Sequence, residues 1–276
     1  MLGGVAVPLR RDVANFLKPQ TLKEAILQTR PRAVINCAAW TAVDDAENSP
    51  EDCRKVNADA VFHLAQACNQ IDATLVQVST DYVYGGDTDR VNPYAETDKP
   101  CPANYYGVTK LAGEKAAATA QRHLITRTCG LYSPREDGPV RGRNFPDTML
   151  VLSKSSDDIR VVNDQQCTPS FVPHVAHGIL ELLGKEVCGI YHVVNNGSTN
   201  WHGFAYELFS QAGLNLMPKG ISTNDYPTVA PRPHYSVLDA QKFCSSVGHP
   251  LPHWKNGISE YLKMMQVGLT QKERYV

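Results

Sequence analysis

No apolar stretch in this chain approaches the roughly 18–20 residues needed to cross a bilayer, so no membrane span is expected. There is no excess of charge of either sign. Against 28 acidic residues stand 27 basic ones, a formal net charge of −1. That balance offers no basic footprint for nucleic acid and no acidic tail. The opening, MLGGVAVPLRR, lacks a cationic segment ahead of its apolar residues, and its apolar core is too short for a secretory signal. Cysteine is present but unorganised. Cys37, Cys53, Cys68, Cys101, Cys129, Cys167, Cys188 and Cys244 form no C-x-x-C pair and no Cys/His group at zinc spacing. Free thiols in a reducing cytoplasm are therefore expected. His174/His177 and His249/His253 have ligand-like spacing, but no carboxylate or cysteine stands at a matching distance, and no metal is expected. With 42% hydrophobic and 20% charged residues, collagen, coiled coil and disorder are excluded. A length of 276 residues suits one large domain, or one domain with a smaller appendage.

The front half alternates strand and helix signals. AVINCA (33–38) is a short apolar run suited to a buried parallel strand. Ahead of it, Leu22, Ala25, Ile26 and Thr29 keep helical spacing, and Arg30-Pro31 stops that helix. In residues 51–69, Val61, Leu64, Ala65 and Cys68 form a buried helical stripe. ATLVQVST (73–80) reads as an apolar strand with a polar end. A turn-rich loop, Gly85 to Asn104, leads to an Ala/Lys/Glu-rich helix over 105–120 and a strand HLITRT (123–128). This rhythm predicts an α/β fold with a doubly wound parallel sheet over residues 1–135. Residues 136–276 are expected to form mainly a smaller substrate lobe, interleaved with the sheet domain. Its strand signals are DIRVV (158–162) and GIYHVV (189–194), and its helices fall near 175–183, 201–212 and 256–266.

In open parallel sheets, ligands bind at the carboxyl ends of the strands. There this chain places Ser79, Thr80 and Asp81 after one strand, and Asn36, Cys37, Ala38 and Ala39 after another. The following helix opens with Tyr106-Gly107-Val108-Thr109-Lys110, and a Tyr and a Lys four apart share one helix face. A free Tyr titrates near about 10 and an ammonium beside it favours the phenolate, so the pair can exchange protons near neutral pH. A strand-end hydroxyl such as Thr80 can hold the substrate oxygen.

VINCAAWTAVDDAE (34–47), VQVSTDYVYGG (76–86), AETDKPCPANYYGVTKLAGEK (95–115), HLITRT (123–128), VVNDQQCTPS (161–170) and APRPHYSVLDAQKF (230–243) occur in this order. Together they resemble the dTDP-4-dehydrorhamnose reductase family, within the extended short-chain dehydrogenase/reductase superfamily, from about residue 8 to the C-terminus. The resemblance implies a Rossmann-like fold. It also implies NADP(H)-dependent reduction of the C4 ketone of a dTDP-linked 4-dehydro-6-deoxy-hexose to dTDP-L-rhamnose. Matched to the family motifs, Tyr106 protonates the new alkoxide. Lys110 binds the nicotinamide ribose and tunes Tyr106, while Thr80 holds the reacting oxygen. Ala38, Ala39 and Thr41 line the cofactor groove with Asn57 behind it. Asp81, Tyr82, Asn163, Gln165 and Arg232 surround the substrate.

Two features depart from that pattern. The family opens with a G-x-x-G-x-x-G turn that cradles the pyrophosphate, and this sequence contains neither that motif nor G-x-G-x-x-G. About 30 residues, one β-α unit, are expected to be missing. VAVPLRR (5–11) then reads as the second strand and its exit, with Arg10 and Arg11 where the adenine ribose is read. Arginine there suits the 2′-phosphate of NADP(H), with NAD(H) as the alternative. The second departure is Gly130, which stands where the family carries a Trp that contacts the sugar. Two other readings of the same resemblance are a non-catalytic subunit like the regulatory subunit of methionine adenosyltransferase, and an inactive truncated form. The expected partner is a nucleotide-sugar substrate, with no nucleic acid, no membrane and a homodimer left open.

Overall fold

Four short apolar runs build the central sheet: Ala33–Asn36 (β1), Thr74–Thr80 (β2), His123–Thr128 (β3) and, much later in the chain, Gly189–His192. The computed structural model describes residues 6–134 and 144–272, with 266–272 described by backbone alone. Between β3 and the fourth sheet strand lie four brief strands, Leu131–Tyr132 (β4), Arg160–Val162 (β5), Gln166–Cys167 (β6) and Ser170–Phe171 (β7), so Gly189–His192 is β8. The order across the sheet is β1-β2-β3-β8 and every pairing is parallel, with Thr80 of β2 opposite Thr128 of β3 at the carboxyl end.

The sheet is covered on both faces, which parallel strands require. Helix α1 (Pro19–Thr29) is followed by the short α2 (Val43–Asn48) and α3 (Pro50–Arg54). A π-helical segment Lys55–Asp59 then leads into α4 (Ala60–Ile71), and α5 (Tyr105–Ala117) follows β2. Leu22 and Ile26 of α1, Val61, Leu64 and Cys68 of α4, and Ala117 of α5 pack on Leu75 and Ile125. The alternate residues Val76 and Leu124 point the other way, as the two-residue period of a strand demands. They meet Val175, Ile179 and Leu182 of α7 (Val172–Gly184), which follows α6 (Phe145–Leu152), together with Phe243 of a later helix.

A second core sits beside the sheet. Tyr132, Met149 and Phe171 pack with Phe204 and Leu208 of α8 (Trp201–Gln211). Phe243 belongs to α9 (Gln241–Val247), and Trp254, Ile258 and Tyr261 of α10 (Trp254–Lys272) close this core. Around it, β6 pairs antiparallel with β9 (Thr199–Asn200), and β5 pairs parallel with β10 (Lys219–Ile221).

Local chemistry sets the element ends. The Asn104 side chain accepts from the Gly107 amide at 2.9 Å and starts α5. Asn200 caps α8 in the same way through Gly203 at 2.7 Å. Helix α1 ends on Arg30 in the left-handed conformation, φ 41°, before Pro31.

Three details differ from the sequence reading. DIRVV is a strand only over 160–162 and pairs with β10 outside the main sheet, whereas 189–192 completes the main sheet. The helix expected over 51–69 is interrupted by the π-helical turn. Residues 6–10, the described part of VAVPLRR, are irregular and pass into a turn at 11–14. Among the described residues no strand lies beyond β1, so this segment has no ladder to join, and Pro8 has no N–H to offer one.

Candidate active site

At the carboxyl end of β2 the chain turns through one short 3-10 turn, Asp81–Val83. The Thr80 hydroxyl accepts from the Tyr82 amide at 3.2 Å and donates to Asp81 Oδ1 at 3.1 Å. Asp81 Oδ2 accepts from Ser236 Oγ at 2.6 Å and from Cys129 Sγ at 3.1 Å. Asp81 is 3% exposed. Burial pushes its carboxyl above the ordinary range, and the Ser236, Cys129 and Thr80 donors oppose that rise.

Helix α5 brings its first turn against this corner. Gly107 makes the approach feasible, because a Cβ there would lie 2.1 Å from the Tyr82 carbonyl oxygen. Tyr106 is buried, packs edge-on against Tyr82 with ring centroids 5.7 Å apart, and lies near enough to Thr80 for that hydroxyl to act on its phenol. Burial raises its phenol well above the usual value, with Thr80 drawing it partly back. Lys110, one turn on, is 4% exposed and donates to the Val78 carbonyl at 2.6 Å. Burial lowers its ammonium to about 8, against the opposing pull of Glu114. The ammonium is turned to the backbone of β2, and burial governs the phenol.

The outer edge of β1 opens onto a cavity of about 870 Å³, within the roughly 300–1,000 Å³ of small-molecule sites. Arg11 and Asn15 line one end, and Asn36, Cys37, Ala38, Ala39 and Trp40 line the other. Small Ala38 and Ala39 leave room for a flat ring, and the Arg11 guanidinium suits a phosphate. The donor set and the size fit a nicotinamide dinucleotide.

Other predicted residues are placed differently. Arg10 is exposed and does not line the cavity; its carbonyl closes the 10–14 turn. Thr41 is likewise exposed and outside the lining. Asn57 is 2% exposed and its amide is fully engaged. It clasps the Trp40 backbone, with the Trp40 N–H donating to Oδ1 at 2.8 Å and Nδ2 donating to the Trp40 carbonyl at 3.2 Å. Nδ2 also donates to Thr109 Oγ1 at 3.0 Å. Asn57 thus shapes the loop that lines the cavity and offers a ligand nothing. Asp81 likewise holds Thr80 instead of facing a sugar. Arg232 pairs with Asp44 at 2.9 Å and donates to the Ala230 carbonyl at 2.7 Å, close enough to Tyr82 for its charge to act on that phenol. Asn163 is exposed over Gly220, and Gln165 donates to Thr223 at 3.0 Å. Both serve the β5/β10 unit, and no contact among the described residues joins them to Tyr106.

Sequence reasoning missed Ser236 and Cys129, the donors on Asp81, and it missed Trp201. Gly130 has φ 50°, and a Cβ there would meet the Trp201 indole at 3.1 Å and Pro169 Cα at 3.3 Å. An aromatic ring from the start of α8 thus covers the glycine. None of the three carries a local sequence signal, because each reaches the corner from a distant segment.

A doubly wound parallel sheet, a strand-end threonine and a buried Tyr and Lys on one helix face together define a protein of the short-chain dehydrogenase/reductase type. The chain belongs to the RmlD substrate binding domain family, whose model matches residues 3–267. It is 39% identical to the dTDP-4-dehydrorhamnose reductase of Shigella flexneri over 260 residues, covering 90% of this chain and 84% of that protein. It is 36% identical to the reductase of the same name from Burkholderia thailandensis over 92% of this chain and 89% of the other. Among solved structures, the dTDP-4-dehydrorhamnose reductase of Bacillus anthracis in complex with NADP superposes with a TM-score of 0.87 at 32% identity. That match covers 94% of this chain and 89% of that one.

Proposed function

We propose that this chain reduces the C4 ketone of dTDP-4-dehydrorhamnose to dTDP-L-rhamnose with NADPH. The observation that carries the reading is the corner where Thr80 meets Tyr106, with Lys110 buried one turn further along the same helix. NADPH, when bound, supplies the hydride to C4. Tyr106 presents its hydroxyl to the C4 oxygen, with Thr80 beside it. The high phenol pKa suits this direction of reaction, because Tyr106 stays fully protonated at neutral pH and has a proton to give. The alkoxide is the stronger base and takes that proton. Lys110 then stabilises the phenolate that Tyr106 becomes, and solvent restores its proton. Asp81, fixed by Ser236 and Cys129, keeps the Thr80 hydroxyl oriented. Arg232 and Tyr82 wall the sugar side, and Arg11 is placed for the cofactor's 2′-phosphate.

The test is NADPH oxidation by the purified chain with dTDP-4-dehydrorhamnose, with the product sugar nucleotide identified by mass and NMR. Turnover to dTDP-L-rhamnose is expected. NADPH binding without turnover would overturn the catalytic reading in favour of a non-catalytic subunit.

A further inference from the structure

Three consecutive residues of β2 each engage helix α5. The Val78 carbonyl accepts from Lys110 at 2.6 Å, Ser79 Oγ donates to Glu114 Oε1 at 2.6 Å, and the Thr80 hydroxyl lies near enough to Tyr106 to act on its phenol. Tyr106, Lys110 and Glu114 stand four residues apart in succession and share one helix face. Glu114 touches neither the cavity nor the reacting corner, yet it is 3% exposed and ionically paired. Arg127 of β3 grips it with two bonds, Nε to Oε1 at 2.9 Å and Nη2 to Oε2 at 2.7 Å. The remaining Arg127 nitrogen, Nη1, donates to Tyr84 Oη at 2.5 Å, and Tyr84 in turn donates to the Ala95 carbonyl at 2.9 Å.

A buried ion pair of this kind gives no net stability that apolar packing could not supply. Its placement beside Lys110 therefore calls for another account. We propose that Glu114 is a positioning residue that holds Lys110 in its ammonium form, so that the Glu114–Arg127–Ser79 assembly sets the upper pH limit of the reaction. Lys110 is faced by Glu114 on its own helix, by Cys37 at the end of β1 and by Cys53 on α3, with Tyr106 one turn back on the same helix face. The Cys37 and Cys53 thiols are both raised by desolvation and stay neutral, while Tyr106 stays a phenol. Arg127 bonds Glu114 and Tyr84, not Lys110. Among the described residues Glu114 is thus the carboxylate that acts on Lys110. Without it, burial alone would strip the ammonium of its proton in the neutral range.

The kinetic part of this proposal rests on the reductase reading, whereas its electrostatic part does not. Protein labelled with ¹³C at the lysine ε-carbon allows Lys110 to be titrated by NMR, with the resonance assigned through Lys110→Arg. A midpoint near 8 is expected for the native chain. In Glu114→Gln it should fall by about one unit or more, the range for loss of an opposite charge close by. Because Glu114→Gln leaves Arg127 unpaired and endangers folding, Glu114→Gln/Arg127→Met is the companion variant. It removes both charges and should still show the lowered midpoint. The alkaline limb of NADPH-dependent turnover should move down with it, so that activity lost at pH 8 returns at pH 6. A Lys110 midpoint unmoved in the folded variants overturns the proposal, as does a moved midpoint with an unmoved limb. Absence of turnover in the native chain counts against the reductase reading alone, since the NMR titration still decides the role of Glu114.

Discussion

On the proposed reading, Tyr106 acts as an acid because of where it is buried. Desolvation keeps the phenol neutral and Thr80 acts on it from the end of β2; in the proposed reaction Lys110, one turn along the helix, offsets the negative charge left by proton transfer. Removing only the hydroxyl separates chemistry from packing. Tyr106→Phe should keep NADPH binding and the fold while losing about 10²–10⁴ in turnover, the usual worth of a general acid. Stopped-flow NADPH oxidation measures this, and an unchanged rate would exclude Tyr106 as the proton donor. These residues were legible in the sequence because each has a local signature. Tyr and Lys four apart predict a shared helix face, and Ser-Thr-Asp after an apolar run predicts a strand end. Asp81 was legible as a strand-end residue beside Thr80, but its hydrogen bonds were not. Its partners Ser236 and Cys129 lie 155 and 48 residues away, and no local pattern announces them. Asn163 and Gln165 stand within a segment that does approach the site, through the Gln166 and Ser236 backbones. Their side chains instead turn towards 219–223, an orientation that spacing alone could not give.

At the scale of elements, α5 is held in register by contact as well as by charge. Gly113 abuts the π-helical segment so closely that a Cβ would lie 2.1 Å from the Asn57 carbonyl oxygen, an atom fixed in the backbone. Asn57, on that same turn, ties α5 to the cavity loop through Thr109 and Trp40. Gly113→Ala should therefore push α5 off its neighbour and destabilise the fold by about 1–3 kcal/mol, the typical cost of overpacking. The NADPH affinity should weaken with it, because the cavity loop moves too. Thermal unfolding and NADPH titration check this. A variant matching the native chain in both would show that the two elements have slack the structure does not display. The longer helices were readable from their 3.6-residue period and the sheet strands as short apolar runs, whereas the brief α2, α6 and α9 were not foreseen. The π turn was not, since a few wider residues inside a long apolar stripe barely disturb the stripe. VAVPLRR misled for the opposite reason: its pattern is strand-like, but strands form in pairs, and pairing is not a property of one segment.

Across the whole molecule, the segment 230–239 ties together residues far apart in the chain. Ser236 reaches Asp81, Arg232 reaches Asp44, and the Pro231 and Asp239 carbonyls accept from Asn104 and His192. His192 is the titratable member of this seam. It is fully buried at the end of β8, bonded through Nδ1 to the Asp239 carbonyl at 2.9 Å, with Nε2 3.4 Å from Tyr84 Oη. Burial, with the Arg127 charge nearby, depresses its imidazole to about 3. The unfolded chain takes up that proton near about pH 6.5, and the folded chain refuses it until near pH 3. Below about pH 6.5 the unfolded state is therefore favoured progressively, by about 1.4 kcal/mol per unit. Exposed His249, held up by the Pro250 carbonyl and Glu181, acts weakly in the opposite sense. His192→Gln removes the titrating group while keeping a polar side chain at the seam. Urea unfolding at pH 6.5 and 4.5 should show the native chain losing about 2–3 kcal/mol more than the variant does over that interval. If both lose stability equally, acid sensitivity comes from elsewhere, because carboxylates common to the two chains cancel in the comparison. If the variant is the less sensitive, the neutral imidazole buried beside the 230–239 segment is what makes the fold sensitive to acid.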